Sequence, residues 1–365
     1  MQGGVFLFFL YLCYMNTKHR IGYIDSIKGF AIFLVVWGHC IQFFSTSNCF
    51  ENIVFSTIYS FHMPLFMMLS GFFFIGSLKE YMKSFLIKTF RRLILPIILC
   101  GTLLSIYIDI MKGELQIIRI LHSIWLQPLN QFWFLRDLFV CYIFAYFILK
   151  LFNNKLFAFG CSLIILFILP NKLWGGWMTA ISPISYSTLY IFPYFWIGIF
   201  IKCYYNYFQN LRKQIFIIST IIFLVLIIFW DGNYTVYQSP VYPIYIYHNS
   251  FTFTLFQNWN ITLYRLIIGL AGGLMIWSFF DYFSIFIKII PVLECWGRNT
   301  LGIYIIQTFI IEYFMGKFIK IDIPILFYNF IITPIIAVIL TILINFIVNQ
   351  MKRNIITSYL IGFKE

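Results

Sequence analysis

Gly29-Phe30-Ala31-Ile32-Phe33-Leu34-Val35-Val36-Trp37-Gly38-His39-Cys40-Ile41-Gln42-Phe43-Phe44 is an apolar run whose only ionisable side chain of physiological range is the imidazole of His39. Continued to Thr46, it approaches the roughly 20 residues that a helix needs to cross a hydrocarbon core. Comparable runs follow at 53–77, 93–109, 132–149, 156–170, 185–201, 214–230, 261–280, 298–316 and 324–348. The chain of 365 residues is 62% hydrophobic and 10% charged, with 46 Phe. Soluble globular domains carry roughly 25% charged residues, so water-soluble domains are excluded and no length is left for a separate catalytic domain. In lipid, backbone polar groups must be satisfied within the segment itself, which makes each run a helix. The expected fold is therefore an all-α integral membrane protein, a bundle of about ten transmembrane helices. Residues 1–20 form a short N-terminal segment, 21–350 a single transmembrane domain and 351–365 a tail.

The net charge of +13 raises nucleic acid as a partner, but the basic residues sit between apolar runs rather than in a stripe among exposed aromatics, and topology explains them better. With a cytoplasmic N-terminus and an even number of crossings, the inner loops receive Lys79, Lys83, Lys88, Arg91, Arg92, Lys150, Lys155, Arg212, Lys213 and most of the other basic residues. The outer loops receive only Lys112, Arg119, Lys172, Lys317 and Lys320. That asymmetry is the positive-inside pattern and places both termini in the cytoplasm. The eight cysteines are scattered without a CxxC pair or CxxH spacing, so neither a disulfide framework nor a metal site is expected. Val5–Tyr14 is too short to span and lacks the marks of a signal peptide, while Met15 stands as an alternative start. Asp231–Asn260, without Lys or Arg, reads as a long outer loop and a candidate lid over an acceptor.

Ionisable and amide groups inside the spans are the functional candidates. Lys28 and His39 are eleven residues apart, three helical turns plus about 20°, so they lie on one stripe with His39 roughly 16 Å deeper. Asp25 falls about 40° from that stripe if the helix extends back to it. A neutral imidazole at that depth suits a general base; the competing reading is a histidine that hydrogen-bonds a neighbouring helix. Lys88, Arg91 and Arg92, placed at a helix start, offer charge and a helix dipole to an anion, or serve as ordinary cytoplasmic anchors. His62 either contacts an acceptor or packs, and Trp133 either lines the acceptor path or belongs to the interfacial belt. Arg136 and Asp137 point about 100° apart and are expected to find partners on other helices. Arg265 and Glu312 are expected to pair with each other. Asn299 and Gln307 are about 80° apart on one span, facing substrate or a neighbouring helix.

The stretch from Asp25 to His39, with Lys28, ten intervening residues and His39, resembles the opening signature of the membrane acyltransferase-3 family. Phe61-His62-Met63-Pro64-Leu65-Phe66 is similar to the family's second-span motif, and Lys88-Thr89-Phe90-Arg91-Arg92-Leu93-Ile94-Leu95-Pro96 to its basic cluster before a proline. Phe132-Trp133-Phe134-Leu135-Arg136-Asp137, Pro193-Tyr194-Phe195-Trp196 and Trp296-Gly297-Arg298-Asn299-Thr300-Leu301-Gly302 follow in family order. Gln307 stands where family members commonly have His. The resemblance covers roughly residues 20 to 350 and rests on the order of motifs that are individually unspecific. It implies about ten spans and transfer of an acyl group, usually acetyl from acetyl-CoA or another acyl-CoA, without a metal. The implied acceptor is a hydroxyl of an envelope glycan or lipid-linked sugar, and the implied setting is the bilayer of a bacterial inner membrane. In that frame His39 is the base, Lys28 its basic companion, and Arg91 and Arg92, with Lys88 beside them, hold the acyl-CoA phosphates. Asp25, His62, Trp133, Asn299 and Gln307 are then candidates for substrate contact. A polysaccharide transporter or flippase without acyl transfer is the alternative.

Overall fold

The computed structural model describes residues 22–113, 132–168, 186–235, 259–283, 290–321 and 327–363. Val5–Tyr14, Met15 and most of the candidate lid lie outside them. Thirteen helices follow in chain order: α1 Gly22–Phe44, α2 Ile53–Phe74, α3 Met82–Lys112, α4 Trp133–Leu151, α5 Lys155–Ile168, α6 Tyr186–Cys203, α7 Tyr205–Asn210, α8 Arg212–Ile227, α9 Trp259–Phe283, α10 Ile290–Arg298, α11 Thr300–Phe318, α12 Tyr328–Met351 and α13 Ile355–Leu360. Among the described residues no strand forms; a lone bridge joins Ser45 to Ile321. A helix lies on the described part of each of these apolar runs, and among the described residues six helices, α1, α2 continued to Lys79, α3, α9, α11 and α12, are long and apolar enough to cross a membrane.

The outward faces are apolar. On α12, Ile335, Val338, Ile339, Ile342, Leu343 and Phe346 form an exposed stripe at helical spacing, while Ala337, Thr341, Ile344 and Asn345 are buried. This pattern is inverted relative to a water-soluble helix: the greasy side meets lipid and the polar side chains turn inward, where they must find partners.

The helices divide into two compact units. The first holds the described residues up to 69, with 205–235 and 268–350; the second holds 70–204, 236–267 and 351–365 as far as they are described. In the first unit α1 and α10 touch main chain to main chain. A Cβ placed on Gly29 would stand 1.9 Å from the Leu293 carbonyl oxygen, and one on Gly297 would stand 1.8 Å from that of Asp25. Only glycine permits either approach, and the two contacts lie one turn apart on both helices.

Two prolines shape the backbone. Pro96 cannot donate to the carbonyl of Arg92, and the turn before it opens into a π segment over Phe90–Ile94. Pro334 has the same effect on Tyr328–Ile332. Because α3 begins at Met82, Arg91 and Arg92 sit inside a continuous helix, not at a helix start as the sequence suggested. The positive end of the dipole is two turns away, which leaves side-chain charge as their contribution to anion binding.

The glycine crossing gives a direct test. Gly297→Ala should cost about 1–3 kcal/mol, since the new methyl meets backbone that cannot move aside. Thermal unfolding in a fixed detergent should register the loss, and an unchanged melting temperature would contradict the crossing.

Candidate active site

In the first unit α1 begins early enough to carry Asp25, Lys28 and His39 on one helix. The inner part of the site gathers His39, His62 and Gln307 from α1, α2 and α11. His62 is 2% exposed; its Nδ1 donates to the Ile58 carbonyl at 2.7 Å, and its ring packs edge-on to Tyr59 at 4.6 Å. A carbonyl accepts only, so Nδ1 carries the proton and Nε2 keeps the lone pair. Tyr59 donates through its hydroxyl to Gln42 Oε1 at 3.4 Å.

His62 is near enough to His39 for the two imidazoles to act on each other electrostatically. Gln307 is fully buried, and its Nε2 donates to the Tyr304 carbonyl and to Thr308 Oγ1. It approaches His39 without completing a hydrogen bond to it. His39 Nδ1 and Gln307 Oε1 are both buried and, among the described residues, without a hydrogen-bond partner. Such orphans are rare in folded proteins and call for a specific explanation. Polar atoms left open on two neighbouring side chains can be met by one added polar group, and a hydroxyl, which both donates and accepts, is such a group.

At the other end of α1, Lys28 Nζ donates to Asp25 Oδ1 at 3.1 Å. Glu294 of α10 faces this pair: burial pushes its carboxyl up, Arg298 pulls it back, and the Asp25 charge adds to the rise. Asn299, 2% exposed, donates from Nδ2 to Asn345 Oδ1 at 2.6 Å and to Asn349 Oδ1 at 2.8 Å. Asn299 thus faces a neighbouring helix, α12, and ties it to the junction of α10 and α11.

The second unit holds the basic cluster. Lys88 forms an ion pair with Glu80 at 3.2 Å, while Arg91 and Arg92 are exposed on the π segment of α3. A cleft of about 490 Å³ is lined by Lys79, Glu80, Tyr146 and Lys150 among others, Glu80 being the ion-pair partner of Lys88. Trp133 is half-buried, edge-on to Phe134 at 6.0 Å. Arg136 and Asp137 do pair, Nε to Oδ1 at 3.0 Å, contrary to the argument from helix angle. The long arginine side chain folds back along the helix, a freedom that the direction of its Cβ does not express. Asp137 also accepts from Ser187 and from Thr188 Oγ1, the latter at 2.8 Å, so partners on α6 are present as well. Arg265 and Glu312, expected to pair, fall in different units.

A family profile described as an acyltransferase domain matches residues 21–350. The chain belongs to the acyltransferase-3 family. Two curated relatives are the nodulation proteins NolL of Sinorhizobium fredii (strain NBRC 101917 / NGR234) and Mesorhizobium japonicum (strain LMG 29417 / CECT 9101 / MAFF 303099). The first is 39% identical over 69 residues, 18% of this chain and 19% of the relative. The second is 29% identical over 197 residues, 51% of this chain and 49% of the relative. The chain thus spans about half, or less, of the length of the curated relatives it matches. No solved structure matches.

Within this acyltransferase-3 chain several site residues carry little signal in the sequence. The sequence offers His62 for acceptor contact or packing and does not mark it as a neighbour of His39. Asn345 and Asn349 are four apart in an apolar run and are legible as a polar stripe by the reasoning that found Lys28 and His39. Ser187 and Thr188 carry no signal beyond being hydroxyls near a span end.

Glu294 supplies a pH test. Its folded-state affinity for protons is raised, so stability is fullest below the ordinary glutamate range and declines as pH rises through and above it. Glu294→Gln should flatten the fall in melting temperature as pH rises above the ordinary glutamate range. Identical pH profiles for wild type and variant would refute this.

Proposed function

We propose that the protein is an integral-membrane O-acyltransferase that moves an acyl group, acetyl from acetyl-CoA, to a hydroxyl of an envelope or exported glycan. The observation that carries this reading is the pair of unpartnered buried polar atoms, His39 Nδ1 and Gln307 Oε1, in a chain of the acyltransferase-3 family. An acceptor hydroxyl that donates to His39 Nδ1 is activated for attack on the thioester carbonyl. The carbon–oxygen bond forms, the carbon–sulfur bond breaks, and the proton held by His39 passes to the departing thiolate, giving ester and free CoA thiol. Gln307 Oε1, which does not titrate, orients the hydroxyl or the protonated ring.

Lys28, held by Asp25, is the basic companion of His39, and the exposed Arg91 and Arg92 are assigned to the phosphates of the acyl donor. Guanidinium groups suit them because they pair with phosphate through two parallel hydrogen bonds. Lys88 takes part only if it leaves Glu80. His62, with its tautomer fixed by Ile58, supports His39. Asp25 positions Lys28, Asn299 acts on packing, and Trp133 borders the acceptor path. About ten crossings, with both termini cytoplasmic in a bacterial inner membrane, complete the reading.

Membranes containing wild type should transfer label from radiolabelled acetyl-CoA to host envelope glycan as a base-labile ester. His39→Ala, at equal abundance, should lose at least about a hundredfold in rate, the ordinary share of a general base. Gln307→Ala should lose about tenfold, the worth of one hydrogen bond in the transition state. Equal transfer by wild type and His39→Ala would sink the mechanism. For the topology, green fluorescent protein fused after Glu365 should fluoresce, whereas alkaline phosphatase at the same position should be inactive; the reverse result would place the C-terminus outside.

A further inference from the structure

Arg265, in the first third of α9, is 2% exposed, and within its own unit no described carboxylate lies at ion-pair distance from it. Its guanidinium carbon lies over the Tyr190 ring, 4.3 Å from the centroid, and Tyr194 Oη donates to the Arg265 carbonyl at 3.0 Å. Both tyrosines belong to α6, so this helix fixes the backbone of Arg265 and floors its charged plane. Of the described acids in this unit, Asp137 is engaged with Arg136, Ser187 and Thr188, and Asp109 on α3, buried with its Oδ2 unpartnered, is not within ion-pair distance of Arg265.

Arg265 Nε and Nη2 are sealed from solvent and, among the described residues, have no hydrogen-bond partner. These two nitrogens share one edge of the guanidinium, the edge that meets both oxygens of a carboxylate or phosphate in a side-on fork. A buried cation within an apolar span is costly without a counter-charge, and a cation–π contact replaces only part of the lost hydration. The face of α6 that carries Tyr190 also carries Ser187 one turn earlier and Tyr194 one turn later. In the proposed topology α4, α6 and α9 all start at the outer surface, which puts Arg265 toward the side away from the cytoplasm.

We propose that Arg265, floored by Tyr190, binds an anionic group, a phosphate or a carboxylate, carried by the acceptor. This rests on the acyl-transfer reading for the name of the ligand; the anion site itself does not. The acceptor class is then an acidic or phosphate-linked saccharide, selected by a bidentate contact separate from the reacting hydroxyl. Arg265 is a binding residue here and takes no part in bond making.

The test is direct binding by the purified full chain in phosphatidylcholine nanodiscs, with no acyl-CoA present. Inorganic pyrophosphate and glucuronate are titrated against intrinsic fluorescence and melting temperature. Wild type should give a saturable response to at least one of them, and Arg265→Gln should bind it at least about tenfold more weakly. Arg265→Lys keeps the charge but loses the fork and should be intermediate, and Tyr190→Leu should also weaken binding. These two variants carry the test if Arg265→Gln does not fold.

A repeat in discs containing phosphatidylglycerol separates the sources. A response abolished there assigns the site to a lipid headgroup, and a response retained assigns it to the acceptor. No saturable response from wild type, or equal affinity in wild type and Arg265→Gln, overturns the proposal. Because nothing is acylated in this assay, its failure is distinct from failure of the transferase reading.

Discussion

The first unit depends on the approach of α1 to α10 at Gly29 and Gly297, where each main chain lies against the carbonyl of the other. Lipid supplies no hydrophobic force between helices, so association relies on close packing, and small residues allow the closest packing. From that crossing the rest of the polar interior is set out. Asp25 contributes its carbonyl to the Gly297 contact and its carboxylate to Lys28. Asn299 follows Arg298 at the end of α10 and locks α12 through Asn345 and Asn349. Gln307, two turns further along α11, arrives beside His39.

The sequence made the helices legible because hydropathy and length decide them almost alone in a membrane. Helix α1 starts at Gly22 instead of Gly29, since polar side chains at a mouth do not end a helix whose carbonyls still find donors. The nine residues of α10 escaped notice because Glu294, Gly297 and Arg298 make them read as a loop. Their helicity comes from packing on α1, which is tertiary and invisible in a window of sequence. The candidate base was legible from one spacing, Lys28 to His39. Its companions His62 and Gln307 were visible as polar residues in spans, yet nothing in one chain says which spans touch.

A helix angle fixes where a Cβ points, not where a long side chain ends. Asn299, at the cap before α11, and Gln307 within it meet different sets of groups. Arg136 reaches its sequence neighbour Asp137 because several rotatable bonds separate its charge from its Cβ. The prolines acted as their chemistry dictates, but the outcome was a π turn that keeps α3 continuous through Arg91 and Arg92.

The two imidazoles have a consequence for how protons are counted during a reaction cycle. His62 has committed one nitrogen to the Ile58 carbonyl and retains a single basic position, while His39 has an open one. In so dry a setting two neighbouring imidazolium ions would repel strongly, so the rings together store one proton at most. Under the proposed transfer, a cluster of that capacity would take a single hydrogen from the acceptor and would have to discharge it before serving again. Occupancy by the next substrate and return of the proton would then alternate, one turnover at a time.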